Sequence, residues 1–179
     1  MSSLPATQVF LILLFFTQVM SMSGNKNVAL IQRICKKTNN YSLCVSALKS
    51  DPRSLNADTK NLALIMINMT LVKANQISQL ILKLNKTTSD PIIHECLTLC
   101  SMDYNHSIAD IQGAIYSFKS SDFEGSANHL SFSSIAPGDC EDCFAEPPSR
   151  KSPLSDISAY FVSLAIIAQN IVSIFIKHA

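Results

Sequence analysis

Two cysteine couples carry the most reactive side chains in this sequence: Cys96 with Cys100 in "CLTLC", and Cys140 with Cys143 in "CEDC". Thiols so spaced can bind zinc as four thiolates, exchange electrons as a dithiol, or close as disulfides. The compartment decides between these. Val9 to Val19, "VFLILLFFTQV", is an apolar block too short to span a bilayer comfortably, and Ser21-Met22-Ser23 behind it supplies the small residues of a cleavage site. Residues 1–23 therefore read as a signal peptide, and residues 24–179 as a mature domain meeting an oxidising environment. There the six cysteines are most simply three disulfides, with fifteen connectivities open. Secretion argues against zinc, and a thioredoxin-like role would want a βαβ pattern that the chain does not show.

The other reactive residue types assemble no set. His94, His106, His129 and His178 are scattered, and His94 and His106 have no ligand partner at helical spacing. No serine sits in a nucleophile elbow and no glycine-rich loop is present to cradle phosphate. Glu141 and Asp142 read as solvent-facing residues in the first turn of a helix. The expectation is a protein that is not an enzyme and holds no cofactor and no metal. A formal net charge of +1 gives no reason to expect a nucleic-acid or polyanion surface.

The elements that position these cysteines read as helices within a single domain. "VALIQRICKKT" and "YSLCVSALKS" are two short helices with a joint at Asn39-Asn40, and Cys35 and Cys44 lie one on each piece. A bond between them would contribute about 2.5–3 kcal/mol on the chain-entropy model. Asp58 caps a helix reaching about Lys86, with Leu62, Ile65, Met66, Met69, Val72, Ile77 and Ile81 apolar and Asn61, Asn68, Asn75 and Gln79 on the wet side. Asp90-Pro91 opens the next helix, which gathers Cys96, Leu97, Cys100, Tyr104, Ile111 and Phe118 on one face. Gly113 inside it costs about 1 kcal/mol relative to Ala. Ser120-Ser121-Asp122 ends that helix and another starts at Phe123. A kink or break is expected at Ala136-Pro137-Gly138-Asp139, with Asp139 placed to cap the restarted turn. Residues 145–153 are a proline-rich loop. Leu154 to Lys177 is a further apolar helix whose Ser155, Ser158, Gln169, Asn170 and Ser173 form a polar stripe, as suits a bundle helix better than a membrane span. The sum is all-α: an antiparallel four-helix bundle with an N-terminal disulfide-pinned α-hairpin. A bond from Cys100 to Cys140 would clamp two of its helices. Asn-x-Ser/Thr sequons at Asn40, Asn68, Asn85 and Asn105 are candidate N-glycosylation sites.

Several stretches carry a family resemblance. "ICKKTNNYSLCVSALKSDPRSLNADTKNLA", Cys100 with Tyr104, and "CEDCF" with its Cys140 and Phe144 resemble the plant invertase and pectin methylesterase inhibitors over roughly residues 28–176. The branch most resembled is that of the invertase inhibitors that include pollen allergens. The resemblance implies a four-helix bundle with cysteines paired first to second and third to fourth, hence Cys35–Cys44 and Cys100–Cys140. It implies a monomer secreted to the apoplast or cell wall, or to the vacuole. Its function would be tight non-covalent occlusion of the active site of invertase or pectin methylesterase, without membrane or nucleic-acid partners. The alternatives are the same fold without inhibition, as a structural, defence-related or allergen-like secreted protein, or a small-molecule carrier.

The sequence departs from the family in three places. Cys96 and Cys143 stand where the family usually has small non-cysteine residues. At a rise of about 1.5 Å per residue they would lie level on antiparallel helices, which predicts a third bond, Cys96–Cys143, with free thiols or swapped pairing as the alternatives. Pro137-Gly138 interrupts a helix that the family continues. The loop "PPSRKSPL" lacks the Pro-Lys-Phe tripeptide of invertase inhibitors, and its Arg150 and Lys151 are the candidate partner-contact residues.

Overall fold

The computed structural model describes residues 27–176. The apolar block at 9–19 and the cleavage site after Ser23 lie outside the described residues. Helix α1 spans 27–35, followed by α2 (Tyr41–Ser50), a 3-10 turn (Pro52–Asn56), α3 (Thr59–Thr87), α4 (Pro91–Lys119), α5 (Phe123–Ser133), α6 (Ala136–Ala145) and α7 (Ser155–Ile176). No strand occurs among the described residues.

Side-chain caps set the helix starts. The carboxylates of Asp58, Asp90 and Asp122 and the amide oxygen of Asn40 each accept a backbone N–H of the first turn, at 2.7 Å for Asn61 N and 2.9 Å for Ile92 N and Gly125 N. The connections between α3, α4 and α5 are three residues long, so these neighbours must run antiparallel. α3 packs beside α4 and α7, α4 beside α5 and α6, and α5 beside α7, closing a four-membered bundle in which α5 and α6 together make the third helix. The α1–α2 hairpin, joined by Cys35–Cys44, rests its α2 on α3 and α7.

The interior is filled by Leu62, Met66, Ile77, Ile81, Leu97, Tyr104, Phe118, Phe161 and Leu164, all fully or nearly fully buried. Phe118, Phe123 and Phe175 close one end with ring centroids 5.1–5.4 Å apart. α7 is long and apolar enough to cross a membrane by length and composition, and here it packs against α3 and α5.

Three local expectations are corrected. The break in the third helix falls at Ser134-Ile135, before rather than after Ala136. Pro137 sits in the first turn of α6, where its missing N–H is harmless, and Asp139 is a first-turn acid instead of the cap. Val72 faces solvent, on the side of α3 that its packed neighbours leave open. Ser158 leaves the polar stripe of α7. It is buried, accepts a hydrogen bond from Tyr104 Oη at 3.0 Å and donates to Glu141 Oε1 at 3.0 Å.

Candidate partner-binding face

The seam between α4 and α6 is held twice. Cys100–Cys140 is fully buried with Cα atoms 4.6 Å apart, and Cys96–Cys143 one turn away spans 5.5 Å between Cα atoms. On the adjoining seam between α4 and α5, Ser126 Oγ donates to Ala114 O at 2.9 Å and Ser107 Oγ donates to Ser133 O at 3.0 Å. Small residues let the two backbones approach, and every hydroxyl used has a partner.

Above the Cys96–Cys143 bond lies a groove of about 700 Å³ between α4 and α6. Leu99 and Met102 line it while 38% and 55% exposed, and Glu95, Asp139, Asp142 and Glu146 surround them. Phe132 and Ile135 add two exposed apolar side chains at the break of the third helix. Asp103, 9% exposed, has an Oδ2 without a partner among the described residues. Burial and the charge of nearby Asp139 push its carboxyl above the usual range, and His106 offsets part of that rise. The arrangement has no nucleophile–base pair; it is an apolar strip in an acidic frame, suited to recognising a protein surface.

His129 lies beyond this groove, on the α4–α5 seam. Its Nδ1 is 3.1 Å from Asp110 Oδ1, and its ring covers Gly113 so closely that a Cβ there would stand 2.8 Å from Cε1. The glycine that weakens α4 thus makes room for a ring from α5.

The two loop cations are not equivalent. Arg150 Nε donates to Asp90 Oδ2 at 2.6 Å, and its guanidinium also reaches the carbonyls of Pro148 and Ser149. That bond is the main reason the Asp90 carboxyl is held below its usual range. Arg150 therefore pins the loop to the N-terminus of α4, whereas Lys151 is exposed beside Pro153 and Thr87. Among the sequons, Asn40 and Asn105 are exposed. Asn68 and Asn85 are half-buried and spend their amide NH2 on Leu64 O and Thr98 Oγ1.

The net charge concealed the groove. Residues 91–146 contain nine carboxylates against one lysine, Lys119, while residues 24–50 contain five cations and no carboxylate. A charge count taken helix by helix would have found both poles.

Comparison with known proteins decides the family. The model of the plant invertase/pectin methylesterase inhibitor family matches residues 29–174. The chain belongs to that family. A pectinesterase inhibitor of Actinidia deliciosa is 35% identical over 125 residues, covering 70% of this chain and 68% of its own length. The cell wall / vacuolar inhibitor of fructosidase 2 of Arabidopsis thaliana is 32% identical over 138 residues, covering 76% and 77%. The fold is shared with the crystal structure of a mutant form of a pectin methylesterase inhibitor from Arabidopsis, with a TM-score of 0.67 at 24% identity over 78% of this chain and 93% of that one. Proteins of this family inhibit enzymes and are not enzymes themselves.

Proposed function

We propose that this chain is a secreted, monomeric inhibitor that binds a plant invertase or pectin methylesterase and occludes its active-site cleft without covalent chemistry. Family membership over residues 29–174 carries this reading. Relatives named as a pectinesterase inhibitor and as an invertase inhibitor both match this chain, which makes each enzyme a candidate target. The apolar block at residues 9–19 and the six cysteines support secretion into an oxidising cell-wall space.

The contact face we assign is the α4–α6 groove. Leu99 and Met102 supply the apolar contact, and Glu95, Asp139, Asp142 and Glu146 supply charge that selects a basic rim on the enzyme. The double disulfide keeps that face rigid, so little ordering entropy is lost on binding. Lys151 is a separate candidate contact on the α3 side of α4, beside Thr87, Ile93 and Leu97, and Arg150 positions the loop without facing the partner.

Sedimentation of the oxidised chain mixed with each enzyme tests this. A co-sedimenting complex that has lost catalytic activity supports the proposal; an enzyme that sediments alone and stays active, in both cases, overturns it.

A further inference from the structure

A second concavity lies between the turn that follows α1 and the last turns of α7. It encloses about 650 Å³ and is lined by Lys36, Lys37, Thr38, Asn39, Asn170 and Ile174 among others. Its walls are fixed. Cys35 is bonded to Cys44, Thr38 Oγ1 donates to Cys35 O at 2.8 Å, and Asn39 N donates to Asn170 Oδ1 at 3.1 Å. That last bond engages the oxygen of the Asn170 amide and leaves its NH2 as a donor.

The charged residues lining the concavity are of one sign, Lys36 and Lys37, and the carboxylates at this end of α7, Asp122 and Glu124, lie instead against Ile176. Residues 27–50 carry Arg33, Lys36, Lys37 and Lys49 and no carboxylate. The sole carboxylate of α7, Asp156, is at its opposite end, about 27 Å away along the axis. We propose that this concavity binds a carboxylated saccharide chain, a polyuronate.

The lining matches that chemistry group by group. Lys36 and Lys37 are two separate point charges on long stems, which suits carboxylates repeated along a polymer. The Asn39 and Asn170 amides supply donors for ring hydroxyls, and Ile174 offers an aliphatic surface to the C–H face of a sugar. A compact phosphate is served less well, because the described lining offers two separate ammonium groups and no guanidinium fork to grip one anion bidentately. Nucleic acid fits poorly too, since no aromatic side chain among the described residues lines the site for base stacking. The α4–α6 groove is at the other end of α7, where Ser158 meets Glu141. Saccharide and enzyme can therefore be held together, and saccharide binding does not rest on inhibition.

The test is equilibrium binding of polygalacturonate to the oxidised chain made without glycans, since the Asn40 sequon adjoins the site. Binding at low salt is expected, with the fully methyl-esterified polymer and polyglutamate both binding at least about tenfold more weakly. Lys36→Gln with Lys37→Gln should weaken binding about five- to tenfold. Lys83→Gln with Lys86→Gln, the same charge change on α3, should leave it within about twofold. Absence of polygalacturonate binding, equal binding of polyglutamate, or equal loss in the two lysine pairs would overturn the proposal.

Discussion

Ser107 Oγ donates a 3.0 Å hydrogen bond to the carbonyl of Ser133, the acceptor that Pro137 leaves without a helical partner. A residue at position 137 would ordinarily give its N–H to that carbonyl, four residues back, and proline has none to give. Both serines are buried, so water does not compete for this carbonyl even though Ile135 beside it is exposed. One hydroxyl from α4 thus lets the third helix be interrupted inside the bundle.

Ser107→Ala should therefore cost about 1–3 kcal/mol, lowering the melting temperature by a few degrees. In a Pro137→Ala background the new N–H can serve Ser133, and the same substitution should cost less than half as much. Equal costs in both backgrounds, measured by thermal denaturation, would remove Ser107 from this role.

The two clamps on the α4–α6 seam should not be additive. With Cys100–Cys140 intact, Cys96–Cys143 closes only a short residual loop, so Cys96→Ala with Cys143→Ala should cost about 2.5 kcal/mol. With Cys100–Cys140 already removed, the remaining bond closes the 47-residue separation and its loss should cost about 4 kcal/mol. Denaturant midpoints of the single and double bond deletions, compared under non-reducing conditions, check the difference. Identical costs in the two backgrounds would contradict the nested-loop account.

Gly113→Ala sets helix propensity against a clash. The new Cβ gains about 1 kcal/mol in helix preference but meets the His129 ring. The substitution should destabilise the parent and stabilise a His129→Ala variant. A sign that does not change between the two backgrounds would show that the ring does not depend on the glycine.

Much of this was legible in the residues. Asp58, Asp90 and Asp122 announced three helix starts, and the cysteine spacing agreed with an antiparallel register. The remainder depended on partners distant in sequence. Ser158 has the composition of a wet-stripe residue, yet Tyr104 from α4 and Glu141 from α6 draw it inward. Arg150 looks like a free loop cation until Asp90, sixty residues away, is seen beside it. The acidic groove escaped because opposite charges at the two ends of the molecule cancel in the total.

Tyr104 gives the fold an alkaline limit. Burial pushes its hydroxyl up to about 12, helped by Glu141 and Asp103 and opposed by the hydrogen bond to Ser158. An unfolded tyrosine ionises near about 10, so the native state holds the extra proton between those values. Its contribution to stability is complete below about pH 10 and is lost as the pH rises towards about 12. Phenolate absorbance should show one of the four tyrosines titrating last, together with unfolding, and Tyr104→Phe should abolish that step. Four tyrosines titrating together below the unfolding pH would contradict it.

Inhibition itself is measured most directly by titrating the oxidised chain into acid invertase and into pectin methylesterase and following residual activity. One enzyme should be silenced at a one-to-one ratio, and Asp139→Lys with Asp142→Lys should raise the concentration required at least about tenfold. Full activity of both enzymes at saturating chain would contradict the inhibitor assignment, and unchanged potency of the lysine variant would move the contact away from the α4–α6 groove.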